Sequence, residues 1–219
     1  MNYVDIYKTL RDFGIILEIV TAIVAIIFYE KYKATRLKYI LFLLLYIAIN
    51  EIVGTYIREK ITNYNAVLYN IFNVIYFTYL LLLYRKYVIN SKYKAYMSVF
   101  LICYLVSFIL NGFRENYLKE FQSIPYILAS SFIIMSVIFY FIEILNSERV
   151  LNIKKNLLFW ISVGLLLYHV GIIPFRIVRN YYSSTTDLSI LFMINVILTI
   201  LMNICFIIGF IWSDRKQPY

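Results

Sequence analysis

Glu18, Glu51 and His169 lie within long apolar runs, where an ionisable side chain is costly unless a partner or a function accounts for it. Two carboxylates and an imidazole can hold a small polar ligand, or take up and release a proton. Arg176 adds a guanidinium at i+7 from His169, and Asn73 and Asn195 add amides. These six residues form the candidate ligand-binding set. Spacing groups them into stripes: Glu51, Thr55 and Arg58 on one helical face, Tyr69, Asn73 and Tyr76 on a second, and Asn195, Thr199 and Asn203 on a third. A Glu51–His169 pair would make both groups tolerable in apolar surroundings and would move both titrations. Asn203 and Glu143 are the candidates to extend a polar path to the opposite face, although Glu143 can equally snorkel or meet Lys154 or Lys155.

The elements that must position these groups are set by hydrophobicity. Of the 219 residues, 63% are hydrophobic and the mean hydropathy is +0.76, against about half apolar for a soluble domain. Seven apolar stretches, residues 14–29, 37–57, 66–84, 95–111, 124–145, 157–178 and 188–212, read as bilayer-crossing helices. The expectation is an all-α polytopic membrane protein, a seven-helix transmembrane bundle forming one domain over residues 1–219. The first stretch does not read as a cleaved signal peptide, because Asp5 and Asp12 offset Lys8 and Arg11 and no small-x-small site follows.

The formal charge of +9 does not indicate nucleic-acid binding, because the basic residues collect at helix ends. Connections after the first, third and fifth stretches carry Lys31, Lys33, Arg36 and Lys38, then Arg85, Lys86, Lys92 and Lys94, then Arg149, Lys154 and Lys155. With Arg215 and Lys216 in the tail, this side holds thirteen of the 21 Lys and Arg. The positive-inside rule then puts the N-terminus outside and the C-terminus in the cytoplasm. In that orientation all six candidate site residues fall in the outer half of the bundle, where converging stripes would line an outward-opening cavity.

Smaller features fit the same picture. Pro125 falls in the first turn of its helix, and Pro174 is expected to kink or end the sixth stretch. Tyr29, Tyr32, Tyr64, Tyr84, Tyr96, Tyr181, Tyr182 and Trp212 sit where interfacial aromatic belts are expected, and Ser183–Thr186 is a polar connection. Cys103 and Cys205 read as buried small apolar residues. Glu51 with His169, and Asn73 with Asn195, recur at similar depths, a hint of parallel three-plus-one-plus-three repeats.

Several chemistries are disfavoured. Span seven has no lysine for a retinal Schiff base, one histidine cannot furnish the ligands of a seven-span zinc hydrolase, and no second axial haem ligand is designated. Glu18, Glu51 and His169 lack a recognisable zinc spacing, and His-Glu-x-x-His, Gly-x-Ser-x-Gly and P-loop motifs are missing from the sequence. Catalytic residues, metals and cofactors are therefore not assigned.

Phe159-Trp160-Ile161-Ser162-Val163-Gly164, with Tyr168, Gly171, Asn50-Glu51 and Asn70, resembles a family of uncharacterised seven-span bacterial membrane proteins often encoded near response-regulator genes. The resemblance implies a sensory or regulatory role in a bacterial cytoplasmic membrane. The leading expectation is a receptor-like sensor: a polar ligand or proton acts in the outer half, and basic cytoplasmic loops meet a separate signalling protein or anionic lipid. A small-solute or proton-coupled transporter is the alternative, and a membrane-perturbing effector a further one.

Overall fold

The apolar runs fold as helices in a computed structural model of the chain, whose described residues are 3–60, 65–182 and 188–214. α1 spans Tyr3–Ile27, α2 Ile40–Lys60, α3 Ala66–Tyr87, α4 Ser91–Asn111, α5 Ser123–Leu145, α6 Leu157–Tyr182 and α7 Leu188–Trp212. Short 3-10 turns occupy Tyr29–Lys31, Arg36–Tyr39 and Glu148–Lys155. Among the described residues there is no β-strand. Tyr64, the Ser183–Thr186 connection, Arg215 and Lys216 lie outside the described residues, as do the side chains of Arg58, Arg149, Arg179, Tyr181 and Tyr182.

Helix ends follow local chemistry. The Asn90 side chain accepts from Lys92 N at 2.9 Å and starts α4, and Pro125 occupies the first turn of α5, where its missing donor costs little. Pro174 does not end α6, which continues to Tyr182. In an apolar medium the surviving i to i−4 bonds have no water to compete for them, so one lost donor is tolerated.

Six segments are long and apolar enough to cross a membrane: Arg36–Ile57, Ala66–Tyr87, Ser91–Asn111, Ser123–Leu145, Leu157–Val178 and Met193–Trp212. Six of the seven expected spans are thus met. α1 differs because the stretch Leu10–Ile27 contains Arg11, Asp12 and Glu18.

The chain divides into two compact units, one of residues 1–45 and 152–219, the other of residues 46–151. In the first, α7 packs against both α6 and α1. The α6–α7 seam is lined with glycine: a Cβ on Gly171 would stand 2.6 Å from Leu198, one on Gly209 2.7 Å from Trp160, and one on Gly164 3.0 Å from the Met202 carbonyl. Small residues let these two backbones approach closely, as helices in lipid require. In the second unit α3, α4 and α5 form an up-down-up bundle. Its seams are aromatic: Phe77 meets Tyr104 and Tyr126 edge-on, while Phe100 stacks on Phe132 and Tyr93 on Phe139.

This grouping departs from the repeat pattern, which needs consecutive triplets; α1 joins α6 and α7 instead. Cys103 also departs from expectation. α4 buries Met97, Tyr104 and Asn111, a strip with i+7 spacing, and Cys103 lies outside it and is exposed.

Candidate functional site

In the α1–α6–α7 unit the interhelical contacts fix a register. Gly14 faces Val196, while the Lys31 ammonium reaches the carbonyls of Phe210 and Ile211 at 3.0 and 2.7 Å, so α1 runs parallel to α7. Glu18 then stands at about the level of Thr199 and Ile200, given the common rise of both helices. α6 is antiparallel to α7, with Gly171 against Leu198, Gly164 against Met202 and Trp160 against Gly209. That register puts His169 level with Ile200 too. Glu18 is 9% exposed and His169 fully buried, so a carboxyl and an imidazole lie at one depth within this unit. Thr21 and Asn203, both buried, lie about one turn further along.

The other candidates in this unit have local engagements. The Tyr168 hydroxyl donates to Asn195 Oδ1 at 3.5 Å, and the Tyr168 ring stands edge-on to His169 at 5.3 Å. The Asn195–Thr199–Asn203 stripe is a real face, but apart from the Tyr168 bond its hydrogen bonds run along its own helix: Thr199 Oγ1 donates to Asn195 O, and Asn203 Nδ2 to Thr199 O. Arg176 is half-buried, its guanidinium 5.7 Å from the Phe175 ring centroid.

In the 46–151 unit, Glu51 Oε2 accepts from the Tyr69 hydroxyl at 3.2 Å. Gly54 makes room for that phenol, since a Cβ there would meet Tyr69 Oη at 3.0 Å. Asn73 is buried on the α3 strip that includes Asn70, Phe77, Leu80 and Tyr84. Glu143 does not pair with either lysine suggested for it. Its Oε2 accepts from Ile89 N at 2.7 Å and its Oε1 from Asn90 N at 2.8 Å, so it clamps the α3–α4 turn. Lys155, a suggested partner, pairs with Asp214 at 3.0 Å. Beside Glu143 lies a cleft of about 20 Å³, lined by Tyr87, Ile89, Tyr140, Ile144 and Ser147, with room for one water.

Sequence reasoning missed a buried polar network in the same unit. Asn70 Nδ2 donates to the carbonyls of Tyr117 and Glu120, and its Oδ1 accepts from Gln122 N. Asn111 Nδ2 donates to Gln122 Oε1 and to Glu115 Oε2. The α4–α5 connection is thereby fastened to α3 and α4. Asn111, at i+14 from Met97 on the buried strip of α4, was the available signal.

At the far end of the first unit, Tyr32 is buried against Phe210 and its hydroxyl donates to Ala25 O at 2.7 Å. Burial, with Tyr29 beside it, pushes this phenol above the ordinary tyrosine value. Among the described residues no group of three His, Cys, Asp or Glu is arranged to hold a metal ion.

These features define an all-helical protein whose apolar helices suit a lipid bilayer, with multiple crossings. No protein-family model, curated protein or solved structure matches the chain.

Proposed function

We propose that the protein is a receptor-like sensor of a bacterial cytoplasmic membrane, crossing it seven times with the N-terminus outside and the C-terminus in the cytoplasm. α1 counts as the seventh span because it runs beside α7 from Gly14–Val196 to Lys31–Ile211 and so shares that helix's slab. A small polar ligand binds in the outer half, and helix shifts carry the signal to a separate partner at the basic loops. The observation that carries this reading is the burial of Glu18 and His169 at one depth of the α1–α6–α7 unit. Arg176 and Asn195 extend the polar surface of the same unit, and Glu51 and Asn73 supply that of the other.

The sensor is preferred to a transporter because the two groups a through-path needs are otherwise employed. Asn203 donates to its own helix and Glu143 holds two backbone amides. The resemblance to seven-span proteins encoded near response regulators agrees with this choice.

Trp160 and Trp212 stand edge-on at 5.6 Å and are the two tryptophans of the chain, so their emission reports the far end of this unit. The protein in lipid nanodiscs should be titrated with amino acids, carboxylic acids and sugars. One class is expected to shift the emission saturably, with affinity falling about 10-fold or more in Glu18→Gln and in His169→Gln, as losing a charged hydrogen bond implies. Accumulation of that solute in proteoliposomes would move the assignment to transport. Unaltered affinity in both variants would remove the site.

A further inference from the structure

The α7 C-terminal end of the α1–α6–α7 unit carries six described cations, Lys31, Lys33, Arg36, Lys38, Lys154 and Lys155, and three of them are already used. Lys31 donates to the Phe210 and Ile211 carbonyls, where a cation complements the end of a helix. Lys33 pairs with Glu30 at 2.6 Å, and Lys155 with Asp214 at 3.0 Å. Arg36, Lys38 and Lys154 have no carboxylate within 4.0 Å among the described residues. Arg36 and Lys154 are exposed, and the Lys38 ammonium stands 4.9 Å over the Tyr39 ring.

From this surplus we infer that Arg36, Lys38 and Lys154 form a docking surface for the headgroups of anionic phospholipids. The two segments that bear them meet at the last turn of α7: Lys31 binds its carbonyls, and Asp214 N donates to Lys155 O at 3.1 Å. Their backbones are held. Thr35 Oγ1 accepts from Leu37 N, Leu37 is fully buried, and Trp160 Nε1 donates to Lys154 O at 2.8 Å. The flanking aromatics favour a lipid surface over a soluble acidic partner. Tyr39 is 46% and Trp212 56% exposed, as amphipathic rings at the headgroup level are. At the opposite end of the unit Arg11 is paired with Asp12 at 3.1 Å, while the exposed Lys8 has no carboxylate within 4.0 Å among the described residues.

Each Lys or Arg near an anionic surface strengthens binding about 5-fold, so three together give about 100-fold. The purified protein should be examined by native mass spectrometry after exchange into mixed phosphatidylglycerol and phosphatidylcholine. Preferential retention of phosphatidylglycerol is expected, and the Arg36→Gln/Lys38→Gln/Lys154→Gln triple variant should lose most of that preference. Lys92→Gln/Lys94→Gln, at the start of α4, should keep it. No preference in the wild type, an unaffected triple variant, or an equal loss in the α4 variant would overturn the assignment. So would inorganic phosphate displacing the lipid while binding the same three residues by itself. This outcome is independent of whether a ligand binds near Glu18 and His169.

Discussion

Replacing Glu143 by Gln tests the distinction between a clamp and a pathway residue. The carboxylate receives two backbone N–H groups, from Ile89 at 2.7 Å and Asn90 at 2.8 Å, lengths typical of charge-assisted bonds. A carboxamide offers one acceptor and one NH2, so one amide keeps a neutral bond and the other faces a donor. A charged hydrogen bond contributes about 1.5–3 kcal/mol and a neutral one about 0.5–1.5 kcal/mol. Glu143 is half-buried and the adjoining cleft admits one water that can serve the abandoned amide, which keeps the loss near the lower bounds. A cost of about 2 kcal/mol follows, equivalent to about 30-fold faster exchange of the two amides where opening is local. Hydrogen exchange in nanodiscs, resolved at Ile89 and Asn90, measures this directly. Thermal unfolding should fall by about 4–8 °C. Unchanged exchange at both amides would refute the clamp, and a Gln variant of wild-type stability with altered solute flux would restore Glu143 to a pathway.

Asn70→Leu removes the donors to Tyr117 O and Glu120 O and the acceptor for Gln122 N, so protease cleavage within residues 112–122 should rise and stability fall by about 2–4 kcal/mol. Gly112→Ala drives a methyl into the Tyr117 ring, whose hydroxyl donates to Phe108 O at 2.8 Å and Ile109 O at 3.1 Å; about 1–3 kcal/mol is expected in unfolding titrations, and nearly nothing further in a Tyr117→Ala background. The raised Tyr32 phenol binds its proton more tightly folded than unfolded. Its contribution is therefore whole below about pH 10 and lost as pH climbs towards the raised folded value, and alkaline denaturation should lose that component in Tyr32→Phe.

How much of this was legible depends on the range of the information. Apolar run length is local, and it located α2 to α7 within a few residues because a bilayer demands about 20 consecutive apolar positions. The same signal starts the first span only at residue 14, since Asp5, Lys8, Arg11 and Asp12 break the apolar run, whereas the helix begins at Tyr3. Polarity does not prevent helix formation when side chains can turn outward. The duties of polar residues were much less legible. Asn70 finds its carbonyl partners 47 and 50 residues away, and Glu143 its amides 54 and 53 residues away. No periodicity encodes such pairings, because they depend on which helix ends meet. The Cys103 error has the same origin: apolarity puts a residue in a span, while the packed strip of α4 decides whether it is covered.

Depth and azimuth behave differently in this respect, and the difference bears on how the candidate site should be tested. Depth follows from rise per residue, and Glu18 and His169 share a level along α7. Azimuth needs neighbours. On α6 the Gly164–Gly171 strip faces α7, and His169, with Ser162 at i−7, lies about 140–160° around the helix from it. Glu18 is on α1, which packs on α7 from elsewhere. Equal depth therefore does not make the two groups neighbours, and a loss of ligand affinity in one variant says nothing by itself about the other. Glu18→Gln and His169→Gln have to be made singly and together, because only a combined effect smaller than the product of the two would tie both groups to one ligand.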